Sequence, residues 1–520
     1  MDPPSTNRVA RACLVCMLRS ISDQTGLADG VFQVDISPEL EICRVFRSIL
    51  GDMSIEQIRQ KLESIGQSQV LRFWDELDET GREKLLSQLQ AMDLDAIPSL
   101  VDEYVIHKPR IALPDQIEPV KAYPWESSDP LYRQARERGQ QLLRDGKVAA
   151  FLVAGGQGTR LGYDGPKGEY PVTPIKSKPL FQVFAEQLLA WGKCSGHPIP
   201  WYIMTSDIND GPTRTFFEKH QYFGYDRSLV RFFQQGMMPA FGMDGKMLLS
   251  AKDSLALSPD GHGGSLRALR KSGALEDMTR RGIEHLSYFQ VDNPLVHVID
   301  PLFLGLHDLT GSEMSSKTIS KAHALEKVGN FCIGDGKLQV IEYSDLPEDL
   351  AKKTHGDGSL VFNAGSIAIH ALRVSFIDRL TAAGTDLKLI WHRAEKKVPY
   401  VDPQGTLVKP ESPNAVKLEQ FVFDAIPLAN NPIVYTTLRE EEFSPVKNAE
   451  GADSPTTCRR DQIRRAARWL SESGVHIPMK DSEPDCVIEI SPLFAINSEH
   501  LKTKDLLVKK IVPGQRIYFG

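Results

Sequence analysis

The spacing of apolar positions changes along the chain, and each change predicts a different element. Ser54 and Gln57 fit a capping box ahead of Ile55, Ile58, Leu62 and Ile65 at helical spacing. Thr80 and Glu83 fit a second one ahead of Leu85, Leu86, Leu89 and Met92. Residues 53 to about 105 therefore read as a small helical unit whose apolar stripes pack on a larger body. Pro109, Pro114, Pro119, Pro124 and Pro130 then forbid a regular helix, because each lacks an N–H and restricts the residue before it. That predicts a linker lying over the surface.

From Val148 to Val153 the apolar run is continuous and ends at Gly155 and Gly156, as a parallel strand buried on both faces would. Similar runs occur at Ile199 to Met204, Val230 to Phe233 and Leu286 to Val291, with helix-like segments at Leu180 to Trp191 and Ser265 to Leu275 between them. Strands alternating with helices predict an α/β fold with a Rossmann-like, mostly parallel (mixed) sheet and its ligand site at the carboxyl ends of the strands. Residues 450–460 read as an exposed loop, 461–473 as a helix, and Val487 to Phe519 as a β-leaning tail. The expected organisation is a poorly ordered extension over 1–52, a helical unit and linker over 53–130, the main α/β domain over 131–445, and a small C-terminal domain over 446–520.

Composition narrows the class. The 520 residues carry 61 basic against 68 acidic side chains, a net charge of −7, so no broad basic surface for nucleic acid is expected. No stretch approaches the roughly 20 apolar residues of a membrane span. Seven cysteines scattered over this length read as reduced thiols, and the lone CxxC of Cys13 and Cys16 has no second pair or His cluster to hold zinc. The short apolar run Ala12 to Leu18 is followed by Arg19 and does not resemble a secretory leader, so a cytoplasmic protein is expected.

Candidate chemistry concentrates in Ala154 to Gly168, AGGQGTRLGYDGPKG, directly after the first buried strand. Its six glycines in 15 residues let backbone N–H groups approach an anion, and Arg160 and Lys167 add positive charge. No GxxxxGK[ST] can be threaded through it. As a dinucleotide fingerprint it places Leu161 where the third glycine belongs, which disfavours a nicotinamide oxidoreductase. A glycine-rich turn alone serves structure as readily as a ligand.

GGQGTRLG followed by PKG resembles the signature of UTP-dependent sugar-1-phosphate uridylyltransferases. LRFWDEL (71–77), FFQQGMMPA (232–240), SPDGHGG (258–264), VDN (291–293), IEYS (341–344), FNAG (362–365), KKVPYVD (396–402), KLEQFVFD (417–424) and EFSPVKNA (442–449) resemble its UDP-N-acetylglucosamine pyrophosphorylase branch in number, order and spacing. The resemblance covers roughly 54–500. It implies that a sugar 1-phosphate attacks the α-phosphorus of UTP, giving a UDP-sugar and pyrophosphate. It also implies Mg²⁺, or Mn²⁺, as cofactor, and a monomer or homodimer.

On the matching motifs, the resemblance implies catalytic roles for Arg160, Lys447 and Lys417, and metal binding by Asp292. Nucleotide contacts fall on Gly155, Gly156, Gly158, Lys167, Gln235, Asp260, Gly261 and His262. Sugar contacts fall on Gly329, Glu342, Asn363, Gly365, Phe421 and Phe423, although two Phe in FVF could equally be core. A lone aspartate is chemically adequate for Mg²⁺, which keeps several water and phosphate ligands. Where the branch usually reads DGNGG this chain has His262, reminiscent of the UDP-glucose branch, and Ser366 replaces the usual asparagine after Asn363-Ala364-Gly365. These departures leave the sugar open between an N-acetylhexosamine 1-phosphate, with N-acetylglucosamine first, and glucose 1-phosphate or broad specificity. A non-catalytic UDP-sugar-binding protein on the same fold is the remaining alternative, disfavoured by the presence of Arg160, Asp292 and Lys447.

Overall fold

The computed structural model describes residues 53–108, 113–382 and 389–520. The N-terminal extension with Cys13, Cys16 and Cys43, and Pro109 of the linker, lie outside the described residues. The chain divides into two compact units, Met1–Ile58 and Arg59–Gly520. In the first, Ser54 and Gln57 close the expected capping box: the Gln57 N–H donates to Ser54 Oγ at 3.3 Å and the Ser54 N–H to Gln57 Oε1 at 2.7 Å.

In the second unit a ten-stranded mixed sheet forms the centre. Its strands in chain order are β1 (Ile117–Pro119), β2 (Val148–Val153), β3 (Trp201–Thr205), β4 (Val230–Gln234), β5 (His285–Gln290), β6 (Met314–Ser320), β7 (Asn330–Gly334), β8 (Lys337–Ile341), β9 (Ala364–Arg373) and β10 (Ile433–Thr436). The order across the main path is β1-β7-β9-β5-β2-β3-β4, with β6 pairing β9 and β10, and β8 pairing β7. β5, β2, β3 and β4 run parallel, whereas β9 is antiparallel to its neighbours β5, β6 and β7. Pro119 is tolerated because β1 is an edge strand.

Alternation along the buried strands builds two cores, one on each face. Ala150, Leu152, Ile203 and Phe289 join one, and Ala149, Phe151, Tyr202, Met204 and Tyr288 the other. The four parallel strands all end on the same edge, so the segments leaving Val153, Thr205, Gln234 and Gln290 converge there.

Several local expectations are corrected. The second helix (Glu79–Gln90) is capped by Asp78, whose carboxylate accepts the Gly81 N–H at 2.8 Å, not by Thr80. The segment Ser265 to Leu275 is two helices, Ser265–Lys271 and Ala274–Arg281, because Gly273 takes a left-handed φ of +71° between them. The helix expected from 461 starts at Pro455 and runs to Glu472; Ser454 and Thr457 form its capping box, so 454–460 is not an exposed loop. Beyond it, Val487–Ile490 and Arg516–Phe519 pair in parallel over an apolar cluster that includes Trp469, Leu470, Ile488 and Phe519.

Candidate active site

The glycine-rich segment leaves β2 as a backbone hairpin. Gly158 N–H donates to the Gly165 carbonyl at 2.8 Å and Lys167 N–H to the Gly156 carbonyl at 3.1 Å. Asn209 fastens it from the next strand's exit, its Nδ2 donating to the Ala154 carbonyl at 2.9 Å. A Cβ on Gly155 would lie 3.0 Å from Gln235 Oε1, so the Gln235 amide rests directly on this glycine. Gly156 is exposed, with the Lys167 side chain 4.0 Å from where a Cβ would stand, and Gly158 lies against Tyr163. Gly168 is structural, since a Cβ there would enter the Phe181 ring.

Four charged groups meet at this edge. Burial holds the Lys167 ammonium below its ordinary pKa; Asp292 opposes that shift, while Lys447 and Arg160 add to it. Arg160 lies on the exposed turn Thr159–Leu161. Asp292 follows β5, and its main-chain carbonyl accepts the Val446 N–H at 2.7 Å, which brings the segment carrying Lys447 alongside. The Lys447 ammonium lies 3.9 Å from Asp453 and 5.7 Å from the centroid of the Phe443 ring.

Beside these charges opens a cavity of about 160 Å³, lined in part by Asp292, Lys447, His262, Gly329, Glu342 and Phe423. A Cβ on Gly329 would stand 3.2 Å from Glu342 Oε1, so the glycine leaves room for that carboxylate. Burial raises the pKa of Glu342, partly offset by His392.

The turn Asp260 to Gly264 is stitched to the strand Ala415–Gln420: the Gly263 N–H donates to the Gln420 carbonyl and the Gln420 N–H to the Asp260 carbonyl, both at 2.8 Å. Gly261 faces the Gln420 backbone so closely that no Cβ fits. The Asp260 carboxylate fills the space over Gly236 and Gly264; burial pushes its pKa up to about 6, with Arg267 and Lys271 opposing. His262 Nδ1 accepts the Val422 N–H at 3.1 Å, so the neutral ring carries its proton on Nε2. Burial, with His392 second, lowers the His262 pKa to about 4 and keeps the ring neutral at pH 7. Phe421 stacks on it at 5.1 Å between centroids, and Phe423 sits edge-on at 5.9 Å.

Three expected residues stand apart from this cavity. Asn363 Oδ1 accepts the Lys321 N–H at 2.8 Å, and the residue lines a separate cavity of about 170 Å³ with Val120, Thr318 and Thr436. The Gly365 carbonyl accepts the Thr318 hydroxyl at 2.9 Å, within the sheet. Lys417 lies opposite Ala394 in a separate three-stranded sheet and is not among the residues that line this cavity. Sequence reasoning in turn missed Lys327, Asn293, Phe443 and the run Ile367 to Ile369, all of which line the main cavity, as does Ser366, singled out only as a departure from the motif. That run reaches it through a register shift between Ser316 and Thr318 opposite β9, where Ala368 takes a left-handed φ of +54°.

Among the described residues, His297, Asp300 and Glu442 offer a metal-like cluster. Its centre is filled, because the buried Lys317 ammonium lies 2.6 Å from both Asp300 Oδ2 and Glu442 Oε2. Asp292 is different: among the described residues no hydrogen bond or ion pair engages its carboxylate, and it lines a cavity that Lys327 and Lys447 also line. A single free carboxylate among groups suited to phosphates fits a hard, oxygen-seeking cation.

The arrangement suits the joining of two anionic phosphates beside a pocket lined by polar, charged and aromatic side chains. Comparisons with known proteins agree. The family model described as UTP–glucose-1-phosphate uridylyltransferase matches residues 96–456. UDP-N-acetylhexosamine pyrophosphorylase-like protein 1 of Homo sapiens is 40% identical over 479 residues, 86% of this chain and 94% of that one. UDP-N-acetylglucosamine pyrophosphorylase of Saccharomyces cerevisiae is 35% identical over 463 residues, 85% of this chain and 96% of that one. The crystal structure of the uridine diphosphate N-acetylglucosamine pyrophosphorylase from Trypanosoma brucei in complex with inhibitor superposes with a TM-score of 0.75 at 25% identity, covering 87% of this chain and 95% of that one. The chain belongs to the UTP–glucose-1-phosphate uridylyltransferase family, and within it to the branch of the UDP-N-acetylhexosamine pyrophosphorylases.

Proposed function

We propose that this chain is a uridylyltransferase that joins UTP and an N-acetylhexosamine 1-phosphate, N-acetylglucosamine 1-phosphate first, into a UDP-sugar and pyrophosphate. The observation that carries the reading is the Asp292 carboxylate and the Lys447 ammonium lining one cavity beside the glycine-rich loop, whose Lys167 feels the charges of Asp292, Lys447 and Arg160. In the reaction a sugar-phosphate oxygen bonds to the α-phosphorus of UTP as the bond to the departing pyrophosphate breaks. A phosphate monoester has its second pKa near 6, so the nucleophile is already ionised at neutral pH and needs no side-chain base. What remains is positioning and charge stabilisation. Arg160 and Lys167 take the β- and γ-phosphates, and Lys447 the α-phosphate. Mg²⁺ or Mn²⁺, held by Asp292 with phosphate oxygens, would neutralise charge on the leaving group. Gln235 over Gly155, with the Asp260 to Gly264 turn, reads the uracil edge. Glu342, Gly329 and Phe423 shape the sugar side.

The four described cysteines, Cys194, Cys332, Cys458 and Cys486, are free thiols, which fits a reducing compartment such as the cytoplasm. No helix among the described residues is long and apolar enough to cross a membrane.

A second reading, glucose 1-phosphate as preferred substrate, rests on His262 lining the cavity where the branch carries asparagine. A pocket shaped for an acetamido group leaves space and polar partners unused by glucose, a loss of about 1–3 kcal/mol, or about 10- to 200-fold in kcat/KM. The test is competition between the sugar 1-phosphates with UTP and Mg²⁺. At least about tenfold preference for the N-acetylhexosamine is expected. Equal or better use of glucose 1-phosphate rejects that preference and establishes the second reading.

A further inference from the structure

Along one wall of the cavity two segments run side by side, Val291 to His297 after β5 and Glu441 to Lys447 ahead of the C-terminal helix, Pro455–Glu472. Asn293 bridges them. Its Nδ2 donates to the Glu442 carbonyl at 2.6 Å, and its Oδ1 accepts the Ser444 N–H at 3.1 Å and the Leu295 N–H at 3.3 Å. Both lone pairs of that oxygen are thus occupied by the protein.

The Glu442 carboxylate closes the same joint from the other side. It accepts the His297 N–H at 3.0 Å, the Thr437 hydroxyl at 2.7 Å and the Lys317 ammonium at 2.6 Å. Arg465 Nη1, on the C-terminal helix, donates to the Leu295 and Glu441 carbonyls, one on each segment, both at 2.8 Å. Three residues beyond Ser444 lies Lys447, whose own N–H donates to the Asp453 carbonyl at 2.7 Å. The backbone from which this long, flexible side chain springs is therefore fixed on both sides, in register with Asp292.

We propose that Asn293 and Glu442 are positioning residues that fix the backbone carrying Lys447 beside Asp292, so that the ammonium reaches the cavity for the transfer step. The bonds above are made to backbone or to buried groups, and what they set is the origin of the lysine stem. A misplacement of about 1 Å in a reacting group costs on the order of 10²-fold in rate, with little change in how tightly the substrates are held.

This inference rests on the uridylyl-transfer reading, and a double-variant cycle separates the two. Asn293→Ala should lower kcat at least about 30-fold while the KM values for UTP and the sugar 1-phosphate stay within about threefold. Placed on Lys447→Ala, the same change should cost less than about threefold more, because the group it positions is already gone. A merely structural role would give multiplicative losses, and that result overturns the proposal, as does wild-type kcat in Asn293→Ala. If Asn293→Ala fails to fold, as judged by circular dichroism and melting, the near-isosteric Glu442→Gln takes its place in the cycle with the same expected pattern. An active wild type with an additive cycle removes the clamp alone. Lys447→Ala with full turnover removes the clamp and the lysine's role but leaves the transfer reading standing, whereas a wild type that makes no UDP-sugar removes both.

Discussion

Replacing Lys317 by methionine tests the buried charge cluster that holds the site together. The Lys317 side chain is fully buried, as is that of Glu442, and Asp300 is 14% exposed. Burial alone would lower the Lys317 pKa; Asp300, then Glu442, outweigh it and raise it. Burial would likewise raise Asp300 and Glu442, and Lys317 instead holds both below the ordinary carboxylate range. Removing one partner of such a buried pair costs about 3–5 kcal/mol, because the other charge stays uncompensated. Unfolding entropy of about 2.1 cal/mol/K per residue gives about 1 kcal/mol per degree for a chain of this length, so Tm should fall by about 3–5 °C at pH 7.5.

The sign with pH follows from the carboxylates. In the wild type their depressed pKa values supply stability that is present above about pH 4 and lost as pH falls through the folded values. In Lys317→Met both carboxyls are pushed above their unfolded values, so the variant regains stability as pH falls towards 5 and they take up protons. Thermal or denaturant unfolding of both proteins at pH 7.5 and pH 5 measures the gap, which should narrow at the lower pH. A gap below about 1 kcal/mol at pH 7.5, or one that widens on acidification, would show that Lys317 does not compensate these carboxylates.

Three further outcomes are expected. Lys447→Ala should lose about 10²-fold or more in kcat with an unchanged melting curve, the scale for one preorganised charge contact, and near-normal turnover would remove this lysine from the mechanism. Activity should require Mg²⁺ or Mn²⁺ and vanish with EDTA, and Asp292→Ala should lose the metal-stimulated rate; full activity in that variant contradicts the assignment. His262→Asn should move the kcat/KM ratio towards the N-acetylhexosamine by up to about tenfold, read by sugar competition, and an unchanged ratio places sugar selection elsewhere in the cavity.

Much of this was legible in the chain itself. The continuous apolar runs at Val148 to Val153 and Leu286 to Val291 marked strands buried on both faces, and the residues after their carboxyl ends, the glycine loop and Asp292, are at the site. What local pattern cannot convey is contact between distant segments. Nothing near Asn293 in sequence announces that its amide bonds Glu442 and Ser444, some 150 positions away. Asn363 and Gly365 precede the left-handed Ala368 in β9, where the pairing with β6 shifts register and side-chain faces are reassigned. Lys417 carries the right motif, but on a strand whose hydrogen bonds place it opposite Ala394 and away from the cavity. The early start of the C-terminal helix depended on Ser454 finding Thr457, a side-chain cap that a polar, proline-containing stretch disguises as a loop.

Transfer of the uridylyl group leaves a distinctive fate for each phosphorus of UTP. Purified protein is given N-acetylglucosamine 1-phosphate, Mg²⁺ and UTP labelled at either the α- or the γ-phosphate, and the products are separated. The expected outcome is α-label in the UDP-sugar, γ-label in pyrophosphate, and equal amounts of the two products. Release of orthophosphate, or γ-label in the sugar product, would contradict it.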